Sequence, residues 1–164
     1  LAWRSIISAS SISAAIALIP LPVLDFGPLI INQSVMVLGI ARVYNYKINL
    51  ERARELVVTF GMGFLGRMLF QELSKLGGLP GWILSAAIAA STTVVMGYAA
   101  AEWFEKGQKL SKESLNQLTR KVTSQLVESL KSLGKRKPSR DKLQQAVADS
   151  LKEITIDENR KPDA

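Results

Sequence analysis

The chain is predicted to be all-α: helical hairpins forming a small membrane-associated bundle, followed by a C-terminal pair of amphipathic helices. Three observations predict this. Long apolar runs, among them the 26 uncharged residues from Leu76 to Ala101, exceed what a strand uses, and this one is longer than the ~20 residues that cross a bilayer. Pro20, Pro22 and Pro28 cluster at one corner between two such runs. After residue 110, leucines and valines recur every three or four positions, the period of a helix with one buried face.

Composition divides the 164 residues in two. Residues 1–100 carry seven Lys/Arg and four acids, whereas residues 101–164 carry the other fourteen and ten. The mean hydropathy of +0.15 averages an apolar front and a solvated back. A net charge of +7 suits an anionic partner, and of nucleic acid and anionic lipid only lipid also accounts for the apolar front half, so no nucleic-acid partner is expected. The absence of Cys and His excludes disulfides, the usual zinc sites, thiol nucleophiles and His-based triads. No catalytic residue, metal or cofactor is expected. Because the chain opens on Leu1 inside a helical pattern, it reads as a fragment or processed product with sequence upstream. A signal peptide is the competing account of Arg4 and the run behind it, but the run continues past any cleavage site into a second apolar segment.

In order, Ala2–Ile19 is a Ser/Ala/Ile helix of borderline spanning length, equally suited to the inside of a soluble bundle. The corner follows. Proline lacks an N–H and drives the preceding residue out of the helical region, so Pro20, Pro22 and Pro28 end one helix and admit another. Asp25 is the single ionisable group between Ser5 and Ala41, and at the tip of an inserted hairpin its charge would cost about 2.5 to 3.5 kcal/mol. The second helix, Phe26–Tyr46, holds Asn32, Gln33 and Ser34, placed to hydrogen-bond across to the first, and ends beside Arg42, Tyr44 and Tyr46. Asn49 is positioned to cap a third helix with Glu51 in its first turn. From there to Leu76, Ala53, Leu56, Val57, Phe60, Phe64, Leu65, Met68, Leu69 and Leu73 form the apolar side of one amphipathic helix, and Arg52, Glu55, Thr59, Gly63, Arg67, Gln71 and Ser74 its polar side.

Farther along that pattern, Gly61, Gly63 and Gly66 match a dinucleotide-binding spacing without its context. No strand precedes them, and no acid occurs between Leu76 and Ala101. Each glycine costs roughly 1 kcal/mol in a helix interior, so close approach of a neighbouring helix is their expected reason. Gly77-Gly78-Leu79-Pro80-Gly81 is a turn into the most apolar helix, with Trp82 at one end and Tyr98, Trp103 and Phe104 at the other, as in a spanning segment. Its alanines suit a soluble core helix as well. A helix from about Ser111 to Gly134 and another from Pro138-Ser139 flank a basic knot of Lys131, Lys135, Arg136, Lys137, Arg140 and Lys142, a candidate contact for anionic lipid. The expected division is 1–106 as apolar membrane-associated domain, 107–156 as basic helix pair and 157–164 as disordered tail.

The order Pro20-Leu21-Pro22, Asp25, Arg42 with Tyr44, Leu50-Glu51-Arg52-Ala53, Leu79-Pro80-Gly81 and Gly97-Tyr98-Ala99-Ala100 resembles the YcjF-like family, domain of unknown function 697, over about residues 15–106. Where relatives read Tyr-Gly, this chain has Tyr44-Asn45, which suits a left-handed turn. The resemblance implies a membrane-associated helical module, often found behind Era-like small GTPase domains of bacteria. It implies a bacterial inner or thylakoid membrane as location, with the tail on the cytoplasmic side. Any GTPase activity would lie in upstream sequence, since no Gly-x-x-x-x-Gly-Lys-Ser/Thr occurs here. The expected function is therefore non-catalytic: anchoring or regulating that GTPase domain, with lipid, the GTPase and other membrane proteins as partners. The alternative is a soluble helical scaffold that binds a protein.

Overall fold

The structure is a computed structural model that describes residues 1–18, 27–60 and 77–154. Among these residues there are six helices and no strand, an all-α bundle. They are α1 (Ala2–Ile16), α2 (Gly27–Val43), α3 (Leu50–Phe60), α4 (Gly81–Lys106), α5 (Lys112–Lys131) and α6 (Arg140–Glu153). Pro20, Pro22, Asp25, Gly61, Gly63, Gly66 and the 157–164 tail lie outside the described residues.

Local chemistry sets most helix ends. The Asn49 side-chain oxygen accepts from the Arg52 N–H at 2.8 Å, which fixes the start of α3. Before it, Asn45 adopts φ 61°, the left-handed turn expected of Tyr44-Asn45. Ser111 and Ser139 cap α5 and α6 by accepting from Ser114 N at 3.1 Å and Lys142 N at 3.3 Å. The α4 helix runs past its uncharged stretch, where Lys106 pairs with Glu102 one turn back at 3.1 Å and adds a few tenths of a kcal/mol to the last turns. It then stops at Gly107, whose φ of 66° is the left-handed conformation that ends helices, with its N–H donating to the Trp103 carbonyl at 2.8 Å.

The bundle is arranged around α4, which packs against α1, α2 and α5. α6 lies on α1 and α5, and α3 lies on α2. The leucine stripes carry the outer layer. Val122, Leu126 and Leu130 of α5 and Leu143, Val147 and Leu151 of α6, with Ile154 just beyond it, are 0% exposed. Fully burying one such side chain stabilises by about 1.5–3 kcal/mol. Their burial joins α5 and α6 to the same core as Ala2, Ile6, Ile40 and Val94, so the core is continuous across residue 106.

The α1–α2 pair forms as expected. Asn32 donates from Nδ2 to the Ala9 carbonyl at 2.8 Å and to Ser13 Oγ at 2.9 Å. Gln33 donates from Nε2 to Thr93 Oγ1 at 3.0 Å, and Thr93 Oγ1 lies 2.8 Å from Ser13 Oγ, so one buried polar node ties α1, α2 and α4 together. Ser34 instead donates to the Ile30 carbonyl of its own helix at 2.6 Å. One turn along α4, Gly97 lets three helices meet: a Cβ there would sit 2.6 Å from Ile6 Cγ1 and 3.0 Å from Met36 Sδ. The pairing of Ser13 with Asn32, and of Ile6 with Met36 across Gly97, sets α1 and α2 antiparallel.

α4 is the one described helix long and apolar enough to cross a membrane, and 67% of its most apolar stretch is buried by the rest of the protein.

Candidate functional site

The basic knot lies at one end of the bundle. Gly134, at φ 91°, turns the chain out of α5, and Ser139 caps the next helix. The intervening loop is tied to two other helices. The Trp82 indole N–H, at the start of α4, donates to the Lys135 carbonyl at 3.1 Å. The Lys137 ammonium donates to the carbonyl of Leu18, just past α1, where unsatisfied helical carbonyls favour a cation. The loop therefore meets the end of α1 and the beginning of α4, next to the proline corner in sequence.

The six predicted cations do not play one role. Lys131 pairs with Glu128 on the preceding turn at 3.0 Å, and the exposed Lys137 commits its ammonium to the Leu18 carbonyl. Lys135, Arg136, Arg140 and Lys142 are exposed and make no ion pair among the described residues. Asp141, in the first turn of α6, is the acid set among them. Four positive charges on one pole, unpaired among the described residues, make a surface for anionic groups. Elsewhere on α6 the Asp149 carboxyl is held below its ordinary value, chiefly by the Gln145 side-chain amide and with help from Lys152.

Of the elbow residues, Pro28 is described; it stands exposed as the second residue of α2, where a missing N–H costs no helical bond. Two sites escaped sequence reasoning. Gly97 is the close-packing glycine that the described residues reveal, and its signal was a lone glycine inside the most apolar helix. Thr93 is the hub of the buried node, one of several hydroxyls in α4 that sequence could not rank.

The expected aromatic ends of α4 are both present. Opposite the basic pole, the Tyr46 ring lies 5.1 Å from Phe104, and Trp103 stacks on Phe104 at 5.8 Å. On the sides, α2 presents Ile31 at 61% and Val35 at 55% exposure, while Ile12 of α1 and Ile88 of α4 are also exposed.

The fold and these residues define a helical bundle with a buried apolar helix and a cationic pole. The model of the family described as Domain of unknown function (DUF697) matches residues 3–132, and the chain belongs to that family. The match reaches further than residues 15–106 and takes in α5, in keeping with the packing of α5 on α4. No curated protein and no solved structure matches the chain.

Proposed function

We propose that this is a non-catalytic, membrane-associated module that settles on an anionic bilayer through its basic pole and anchors or regulates a small GTPase domain lying upstream in the same or a partner chain. The observation that carries the membrane part is the convergence of Lys135, Arg136, Arg140 and Lys142, unpaired among the described residues, beside Trp82. An anionic leaflet gives about 1 kcal/mol per nearby Lys or Arg. Four charges therefore make an association that is firm at low salt and reversible at high salt. The GTPase part is supported by the resemblance to modules that follow Era-like domains. The membrane meant is a bacterial inner or thylakoid membrane.

Vesicle flotation tests the lipid reading. The chain is expected to float with vesicles containing phosphatidylglycerol and to remain behind with purely zwitterionic ones. A variant with Lys135, Arg136, Arg140 and Lys142 all changed to Gln should lose roughly three orders of magnitude in partitioning at low salt, at about 1 kcal/mol per charge. Equal flotation with both vesicle types would remove the proposal.

A second reading, a soluble scaffold that binds a protein partner, is favoured by the burial of α4 beneath α1, α2 and α5. Its docking face would be the exposed Ile31 and Val35 of α2. It predicts no flotation with either vesicle.

A further inference from the structure

Between α4 and α5 the chain reads Gly107-Gln108-Lys109-Leu110-Ser111. Gly107 reverses it in a left-handed turn, so Lys109 and Leu110 are laid along the end of the bundle opposite the basic pole. They line two clefts at once. One, of about 380 Å³, is walled by α3 and α4 through Val57, Met96, Ala100, Trp103 and Phe104, and Lys109 is the one charged residue on its described wall. The other, of about 420 Å³, runs along α4 and the first turns of α5 and is polar, lined by Glu102, Lys106, Ser114, Gln117 and Lys121.

A cleft with apolar walls holds water poorly and suits a hydrocarbon, and its size falls in the range of small-molecule sites. In the polar cleft, Glu102 is already engaged by Lys106 at 3.1 Å. Lys109 makes no ion pair among the described residues and stands where the two clefts join. The geometry points to a binding site for a single-chain anionic amphiphile: one acyl chain lies against Met96, Ala100, Trp103 and Phe104, and its carboxylate or phosphate head meets the Lys109 ammonium. A cation at the mouth of an apolar cleft, unpaired among the described residues, selects this ligand over a neutral hydrocarbon, which would leave the charge unmatched, and over a free anion, which would leave the cleft empty. This site is separate from the basic pole and does not rest on the proposal of bilayer docking.

Tryptophan quenching tests it. The folded chain is titrated, below micelle formation, with a brominated fatty acid and separately with a monoacyl glycerophosphate that displaces it. Saturable quenching and displacement are expected. Ala100→Trp, which fills the apolar cleft, should abolish both, and Lys109→Glu should weaken binding about tenfold, the worth of one charged hydrogen bond. Lys152→Gln, an exposed change on α6 away from both clefts and from the basic pole, should leave binding unchanged. Helical circular dichroism confirms that each variant is folded, and Lys109→Glu, an exposed substitution, keeps the test open if Ala100→Trp does not fold. No saturable quenching, equal affinity in folded Ala100→Trp, equal affinity in Lys109→Glu, or displacement by inorganic phosphate alone would each overturn the site.

Discussion

Gly97 and Thr93 show how single atoms hold the interior in register. Alanine at 97 would gain about 1 kcal/mol of helix propensity, but its Cβ would lie 2.6 Å from Ile6 Cγ1, in a place where Ile6 is fully buried. Overpacking of this kind costs about 1–3 kcal/mol, so Gly97→Ala should lower stability in urea unfolding. Combining it with Ile6→Ala should cost less than the sum of the two, because the second change opens the space the first requires. Thr93→Val leaves the Gln33 amide without its buried acceptor and should cost about 1–3 kcal/mol, whereas Thr93→Ser keeps the oxygen and most of the stability. At this scale sequence spoke unevenly. Asn32 was readable as a cross-helix donor because a polar residue in an apolar helix needs a partner, and Asn49 was readable as a cap. Lys137 was not readable, since it looks like its basic neighbours and its acceptor, the Leu18 carbonyl, is remote in the chain.

Among the elements, α5 and α6 were the most legible, because their apolar stripes contrast with charged faces and their caps are serines. Each stripe lies where the period placed it. What period does not carry is the neighbour: nothing in Leu143, Val147 and Leu151 says that they close over α1 as well as α5. Leu151→Ala should therefore cost about 2–5 kcal/mol, as for any fully buried leucine, and loosen α1 with α6, seen as faster amide exchange in both helices. The α4 helix is the reverse case. Uncharged residues with aromatic ends look the same whether lipid or protein surrounds them, and here protein surrounds most of the helix.

For the molecule as a whole, the burial of α4 bears on how the proposed module would meet a bilayer. A bundle whose most apolar helix is already covered, and whose α5 and α6 turn charged faces outward, is suited to lie against headgroups. Alkaline carbonate or ~0.5 M salt should release such a bundle from membranes, because screening shortens the reach of its charges. Retention after both washes would mean that apolar helices are inserted. The all-α class and the family were legible from proline corners, small-residue motifs and helical periods; the way six helices share one core was not, because it depends on contacts between distant parts of the chain.

The antiparallel seating of α1 against α6 has one more consequence. Lys137 marks where the end of α1 meets the approach to α6, so Leu1 and Ile154 emerge together at the far pole. With α1 fifteen residues long, a domain joined ahead of Leu1 would ride about 22 Å above whatever the cationic face rests on. The bundle would then serve as a pedestal, and its height, as much as its grip, would decide which surfaces such a passenger meets.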